Sequence, residues 1–548
     1  MQPEKLKSMP LYMKITKQKT NGVIYTPEWV VRLILDNIGY KNNIYPKSIV
    51  DPSCGEGAFL IEIVKRIIKD CKQNRLSNSE VIKLLNNNIC GWDIDVDSID
   101  KCKFNLCNIC KQYDINNVNW NIFVLDSLDR ANVRKHFNHF DFVVGNPPYI
   151  RIQHLGAERR KLLQKSWSFC ANGSTDIFIA FFELGYNLLS FQGRLGYITP
   201  NTFFKTKTAE RLRSFLSTKK CISKIIDFGY SQVFEDATTY SAITILDKSY
   251  KKDTFYFFKG KQKDIHCVDE IEFSNLRKNN WTLTSNNILK KIREIEERGI
   301  PLGKMAKIHV GITTLADDYY IFKNPIIKEE KTKITLKDGR SFIIETKILK
   351  PIIKASVLKF SDEEQNRYII FPYKKINGKH IIMPEQELDV QYPLTYRYFL
   401  SIKERLSLRD KGKPNSVAWY AFGRSQGLDT SFGKKILTSG LNLRPNFIVW
   451  EKEEYTFYAG YCIKFDGDLH WLNDKLNSQD MAFYIKHTSR DYQNGYKSYS
   501  KTFIEKFGLE DIGNMGIEKK YRIKHIETQL TLLEKRQRIF SKKEEKTR

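Results

Sequence analysis

The chain has 548 residues, 41% hydrophobic and 13% aromatic, enough for two or three domains with full cores and unlike a disordered chain. Its 90 Lys and Arg against 63 Asp and Glu give a formal charge of +27, which favours a polyanionic partner, nucleic acid before an anionic membrane surface. No apolar run approaches the roughly 20 residues of a spanning helix, and the opening "MQPEKLKSMPLYMKITKQKT" lacks a signal-peptide apolar core, so no membrane partner is expected.

Residues 1–20 read as a basic tail. From 21 to 250, short apolar runs alternate with amphipathic patterns. "KSIVDPS", "NICGWDID", "NIFVLDS", "FDFVVGNPP", "GRLGYITPN", "ISKIIDFG" and "YSAITIL" read as buried strands. "TPEWVVRLILDNI", "GAFLIEIVKRIIKDC" and "TDIFIAFFELGYNLL" read as helices with apolar residues three and four apart. This alternation predicts an α/β domain, its mostly parallel sheet covered on both faces, with ligands at the C-terminal ends of the strands. Residues 251–300 read as an irregular charged linker, "KSYKKDTFYFFKGKQKD", and a connecting helix, "NNILKKIREIEERG", stopped at Gly299. Residues 301–548 hold short strands and turns without βα rhythm, a mixed α+β region ending in a C-terminal helix.

Ten cysteines raise a metal site, since Cys102, Cys107 and Cys110 follow Cys90 at spacings like an iron–sulfur run. They fall in an apolar helical pattern with Phe104, Leu106 and Ile109, and no second pair or His cluster completes a site, so buried free thiols in a reducing cytoplasm are expected and no metal.

The chemistry-bearing residues stand at the ends of the predicted strands. In "IVDPSCGEGAF", Asp51 ends a strand where it can meet a cationic ligand, and Gly55 and Gly57 let the backbone approach closely. In "GWDIDVDSI", Asp93, with Asp95 as the alternative, can accept from ribose hydroxyls. Asp126 in "VLDSLD" suits an adenine amine, although each of these acids could merely cap a helix. "DFVVGNPPYIR" closes the series. Asn146 offers an amide oxygen, Pro148 holds Pro147 out of the helical region, and neither proline has an N–H to bind the Pro147 carbonyl locally. Two acceptors on a stiff corner suit one NH2 group, and Tyr149 adds a flat face for a planar ring.

"NPPY" with "DPSCGEGAF" and "YTPEWVV" resembles the S-adenosylmethionine-dependent amino-methyltransferases, and the motif order with its large C-terminal extension looks like the gamma class of DNA adenine-N6 methyltransferases. The resemblance covers residues 21–250 and implies a Rossmann-like methyltransferase domain followed by a target-recognition domain at 301–548. It implies S-adenosylmethionine as cofactor, held by Thr26, Pro27, Asp51, Ser53, Gly55, Asp93, Ile94, Asp126, Ser127, Asn146 and Phe181. It assigns Asn146, Pro147, Pro148 and Tyr149 to the catalytic corner, and Tyr149 and Phe234 to stacking on the target base, with Tyr240 close to the second position and Phe182 beside Phe181 showing how readily such aromatics are core. Methyl transfer needs the base flipped out of the duplex. The expected partner is double-stranded DNA, and the expected enzyme a monomeric, nucleoid-associated modification methyltransferase, alone or with a separate cognate endonuclease.

In the second half, basic and aromatic residues expected on DNA are Lys354, Lys359, Trp419, Tyr420, Arg424, Lys434, Arg444, Tyr496, Lys497 and Lys501, in clusters with Lys435, Tyr492 and Tyr499. A DNA-binding protein with a dead catalytic fold is one rival, against which the intact Asn146 to Tyr149 argues; three further alternatives stay open. Asp338, Glu345 and Lys347 match the loose spacing of a metal-dependent nuclease, which would make a fused restriction–modification enzyme. The same four-residue corner serves RNA and protein-glutamine methyltransferases. Cytosine-N4 poses the same problem as adenine-N6.

Overall fold

The computed structural model describes residues 25–510 apart from 151, 153–154, 172–175, 235–238 and 279. The basic tail and the C-terminal helix expected from the sequence lie outside the described residues. Two compact units divide between Leu289 and Lys290.

The first unit is built on a nine-stranded sheet. Its strands are β1 (Ile49–Asp51), β2 (Ile89–Asp93), β3 (Asn121–Val124), β4 (Phe140–Gly145), β5 (Leu189–Pro200), β6 (Ile222–Asp227), β7 (Ser241–Asp247), β8 (Thr254–Lys261) and β9 (Asp264–Glu272). Their order is β3-β2-β1-β4-β5-β7-β6-β8-β9. β3 to β5 run parallel, β7 is antiparallel to both β5 and β6, and β6 and β8 are parallel. The C-terminal ends of β1 to β6 therefore share one edge of the sheet. Order reverses between β1 and β4, which opens the crevice where such sheets bind ligands.

Strand periodicity explains why the seven expected strands read as continuous apolar runs. Successive side chains point to opposite faces, and both faces are buried. Ile49 and Val144 enter one core with α1 (Glu28–Asn37), α2 (Ala58–Gln73) and α4 (Val96–Lys111). Their neighbours Val50 and Val143 enter the other, with Phe178, Phe181, Phe182 and Leu184 of a later helix. α1 buries Val30, Val31, Ile34 and Leu35 as one stripe. α3 (Asn78–Asn88) starts on a capping box of Ser77 and Glu80. α5 (Ala157–Ser166), α6 (Ile177–Leu188) and α7 (Glu210–Lys219) complete the set used below.

One expectation fails here. The segment read as an irregular linker is the β8–β9 hairpin, which extends the sheet beyond β6. Phe255 and Phe257 are buried and Tyr256 faces out, but the alternation breaks at Phe258: Lys259 and Lys261, of the same parity as the buried pair, face out and Gly260 is buried, so no clean period of two runs through the segment. The connecting helix is present at Asn286–Glu297, and Gly299 follows it with φ +61°, the left-handed conformation that ends helices.

The second unit has the short-strand texture expected. One antiparallel sheet orders Lys307–Val310, Tyr461–Lys464, Lys435–Thr438 and Phe447–Trp450; a second, mixed sheet orders Ile321–Lys323, Arg367–Ile370, Leu349–Lys354 and Thr456–Tyr458, its last pair parallel. An aromatic core of Tyr320, Phe371, Tyr398, Phe399, Tyr420 and Phe422 lies beside the second.

If β8 belongs to the core, Phe257→Ala costs about 3–5 kcal/mol, the usual penalty for emptying a buried aromatic site. Urea denaturation measures it; a loss below about 1 kcal/mol would return the segment to the status of a linker.

Candidate active site

The site assembles at the shared edge of the first unit's sheet. β1 delivers Asp51, 1% exposed, with the turn after it. The Ser53 N–H donates to Asp51 Oδ1 at 3.0 Å. Burial pushes the Asp51 carboxyl up to about 8, against the pull of Ser53 and helped by the nearby charge of Asp93. A carboxylate so costly to ionise is a favourable seat for a cation. Gly145, which ends β4, passes so close that a Cβ there would lie 2.8 Å from Asp51 Oδ1.

The turn continues to Gly55, whose N–H donates to Asp93 Oδ2 at 2.9 Å. Its φ of +52° suits glycine, and a Cβ there would meet nothing within 4 Å, so the backbone borders open space. Gly57 has the opposite reason to be glycine: a Cβ would strike Cys102 Sγ at 2.8 Å, where α4 packs. Cys102 and Cys110 are buried free thiols of α4, and Cys90 is a buried free thiol of β2. Asp93 also accepts the Asp95 N–H at 3.0 Å. Asp95 caps α4 through the Ser98 N–H and hydroxyl, which is the capping alternative foreseen for it. Ile94, between them, is 59% exposed.

The third strand end departs from expectation. Asp126 is paired with Arg159 of α5 at 2.8 Å and accepts the Leu128 N–H at 3.1 Å. Ser127 is buried, and its hydroxyl donates inward to the Pro52 carbonyl at 2.6 Å, tying the ends of β3 and β1 together. The Ser127 hydroxyl hydrogen is thereby committed to the loop, which leaves its oxygen able only to accept. Phe181 and Phe182 are both buried on α6; Phe182 packs on Tyr197 and Phe203.

The corner follows the end of β4. Pro147 is buried, while Asn146, Pro148 and Tyr149 are half-buried. Asn146 Nδ2 donates to Thr26 Oγ1 at 3.1 Å, and the Tyr149 hydroxyl donates to Asn146 Oδ1 at 2.6 Å, with the Ile198 carbonyl farther off at 3.3 Å. Burial holds the Tyr149 hydroxyl well above its usual range, so it stays protonated and donates. An amide oxygen can accept two hydrogen bonds, so the Tyr149 contact alone does not exhaust it. The Tyr149 ring meets Phe234 edge-on, centroids 6.3 Å apart, and Phe178 at 6.4 Å. Phe234 is 2% exposed. Tyr240 accepts the Asn201 N–H through its carbonyl at 2.9 Å. Pro27, next to Thr26, is the N-cap residue of α1. The Thr26 and Arg159 contacts were absent from the reading of the motifs, because each joins residues far apart in sequence.

In the second unit the basic list divides. Lys359, Lys434, Arg444, Tyr496 and Lys501 are exposed and Lys354 half-buried. Arg424 is paired with Asp410 at 3.1 Å and Lys497 with Asp491. Trp419 is half-buried, its Nε1–H on Glu385 at 3.0 Å and its ring under Lys403. Three residues are core instead. Tyr420 is 2% exposed and donates to the Met383 carbonyl; Tyr499 is buried; Lys435 is fully buried, donates to the Gly433 and Tyr455 carbonyls, and burial brings it down to about 7. Their aromatic or cationic identity suggested a surface, and packing partners distant in sequence took them inward. The loose nuclease spacing is also separated: Asp338 sits in a tight turn paired with Arg340, while Glu345 accepts the Leu394 and Thr395 N–H groups, capping the helix Pro393–Ser401.

Residues 87–234, which carry the corner, match the Eco57I restriction-modification methylase family. The resemblance read from the motifs is borne out. The chain is 29% identical over 479 residues to the Type II restriction enzyme and methyltransferase RM.Eco57I of Escherichia coli, covering 74% of this chain and 48% of that protein; it thus spans about half the length of this relative. It is 25% identical over 555 residues to the Type II methyltransferase M.BstVI of Geobacillus stearothermophilus, covering 92% of each. The fold is that of the Type IIL restriction-modification enzyme MmeI, solved in complex with DNA: TM-score 0.60 at 12% identity, over 90% of this chain and 69% of that one. No described helix is long and apolar enough to cross a membrane.

The buried acid gives a sign-definite test. Asp51 holds its proton up to about pH 8 in the folded chain but only to about 4 when unfolded, so its contribution is most favourable below pH 4 and is lost progressively as pH rises towards 8. Asp51→Asn keeps the shape without the penalty. Its melting temperature should lie close to wild type near pH 4 and exceed it by roughly 10 °C or more at pH 8.5, the rise from 3.8 to about 8 being worth about 5 kcal/mol. Equal or lower stability at pH 8.5 would contradict the assignment.

Proposed function

We propose that the chain is a site-specific DNA methyltransferase of the restriction–modification kind that moves a methyl group from S-adenosylmethionine to adenine N6 of a flipped-out base. The observation that carries this reading is the Asn146–Pro147 corner, which stands at the end of β4 beside the Asp51–Gly55–Asp93 turn, at the sheet's order reversal.

The turn fits the cofactor on three counts. Asp51 is buried and favours a cation, Gly55 borders open space, and Asp93 is anchored by the Gly55 and Asp95 N–H groups at the position that meets ribose hydroxyls. Ile94, exposed beyond Asp93, can cover an adenine face. Asp126 can take part only if its bond to Arg159 opens or is shared. S-adenosylmethionine would supply an electrophilic methyl on its sulfonium. The chain's own task is to make a poor nucleophile adequate. The target amine's lone pair is delocalised into its ring. Acceptance of its two hydrogens by Asn146 Oδ1 and the Pro147 carbonyl favours a pyramidal nitrogen and directs the lone pair. Fixed dipoles stabilise the positive charge that develops on nitrogen, and alignment supplies much of the remainder. Extrusion costs a few kcal/mol; stacking on Tyr149 returns about 1–3 of them. Because Tyr149 and Phe234 meet edge to face, a base entering between them displaces that contact.

The exposed cations of the second unit, Lys359, Lys434, Arg444 and Lys501, support duplex DNA as the substrate: phosphate contacts of this kind position a duplex. The names of the relatives, Type II methyltransferases, support a modification role, alone or beside a separate endonuclease. The capping role of Glu345 removes the observation that favoured fused cutting at that segment.

The test is transfer of labelled methyl from S-adenosylmethionine to duplex DNA, RNA and protein, followed by nucleoside mass spectrometry. N6-methyladenine from DNA is expected. Asn146→Ala should lower turnover by at least about 100-fold while leaving duplex affinity within about threefold. Label in N4-methylcytosine, RNA or protein, or an active Asn146→Ala variant, would overturn the reading.

A further inference from the structure

An asparagine amide has two ends of nearly equal size and opposite hydrogen-bond sense. If Asn146 is to accept from a target amine, its oxygen must face the substrate. A half-turn would place an NH2 against an NH2. Nothing in the shape of the side chain prevents this; its partners must.

Asn146 stands between two hydroxyls of different character. Its Nδ2 donates to the aliphatic hydroxyl of Thr26 at 3.1 Å, and its Oδ1 accepts from the phenol of Tyr149 at 2.6 Å. An aliphatic hydroxyl oxygen is the better acceptor, because a phenol's oxygen shares its electrons with the ring; a phenol is the better donor for the same reason. The strong donor therefore sits at the amide's oxygen and the strong acceptor at its nitrogen. The half-turned amide would need the phenol to accept and its proton to move to the Ile198 carbonyl at 3.3 Å, a longer and weaker bond, or towards the neighbouring Ser241 hydroxyl, which is not a charge-bearing acceptor either. Thr26 is 5% exposed, so water competes little for it.

We propose that Thr26 and the Tyr149 hydroxyl are positioning residues that together set the orientation of the Asn146 amide. This rests on the reading of Asn146 as acceptor for the target amine. It gives Thr26 a task distinct from holding the cofactor, and Tyr149 a task distinct from stacking, which its ring alone performs.

Thr26→Val keeps the shape and removes the acceptor; Tyr149→Phe keeps the ring and removes the donor. Each should lower kcat about tenfold, with the KM values for DNA and S-adenosylmethionine within about twofold of wild type, and Thr26→Ser should restore kcat to within about threefold. With 2-aminopurine at the target position, both variants should give the same fluorescence rise on binding as wild type, since extrusion does not depend on the amide. A carboxylate accepts at both ends, so adding Thr26→Val to an Asn146→Asp chain should cost less than about twofold. An unchanged kcat in Thr26→Val, an effect confined to the cofactor KM, or the same tenfold loss in the Asn146→Asp background would overturn the proposal. A wild-type chain that neither extrudes the base nor methylates it would instead defeat the underlying reading.

Discussion

On the proposed reading the molecule depends on one constraint: the hydrogen-bond acceptors that face the target amine must not turn away. A buried or half-buried polar atom keeps its orientation only through its partners, and at this site each partner comes from a different stretch of chain. The turn after β4 supplies Asn146 and Tyr149, the approach to α1 supplies Thr26, and β5 supplies the Ile198 carbonyl near Tyr149. The nine-stranded sheet brings these segments to one edge, and its two cores hold them there. The fold's stability and the site's precision are thus the same property.

The side proposed for the cofactor follows similar logic with charge in place of orientation. Asp51 is buried at an energetic cost, and the loop below it is stitched by Ser127 to Pro52 and by Gly55 to Asp93. The wall is polar, and a cation seated there would favour the ionised form of an acid that otherwise keeps its proton up to about pH 8. Destabilised acids of this kind collect at functional sites because function requires them.

Much of this was legible in the residues. Strand-then-acid at Asp51 and Asp93, and strand-then-corner at Asn146, are local patterns whose meaning does not depend on what packs against them, and all stand where the alternation of strands and helices implied. What was not legible involves partners remote in sequence. Asp126 looks like Asp93 in its strand-end context, but Arg159, 33 positions on, takes one of its oxygens. Ser127 could have faced either way, and Pro52 settled it. β8, "TFYFFKGK", buries Phe255 and Phe257 and then changes parity to bury Gly260, so neither alternation nor its aromatics told which face is inward. Tyr420 and Lys435 have the composition of a nucleic-acid surface yet are buried, because carbonyls of Met383, Gly433 and Tyr455 satisfy their polar ends.

The most direct test of the central claim is a crystal structure of the chain with a non-reactive S-adenosylmethionine analogue and a duplex carrying its recognition site. The account predicts one adenine outside the helix, its N6 within hydrogen-bond distance of Asn146 Oδ1 and the Pro147 carbonyl, with Thr26 still on Nδ2. An extruded base whose amine lies away from that corner, or a corner closed off from the analogue's sulfur, would contradict it.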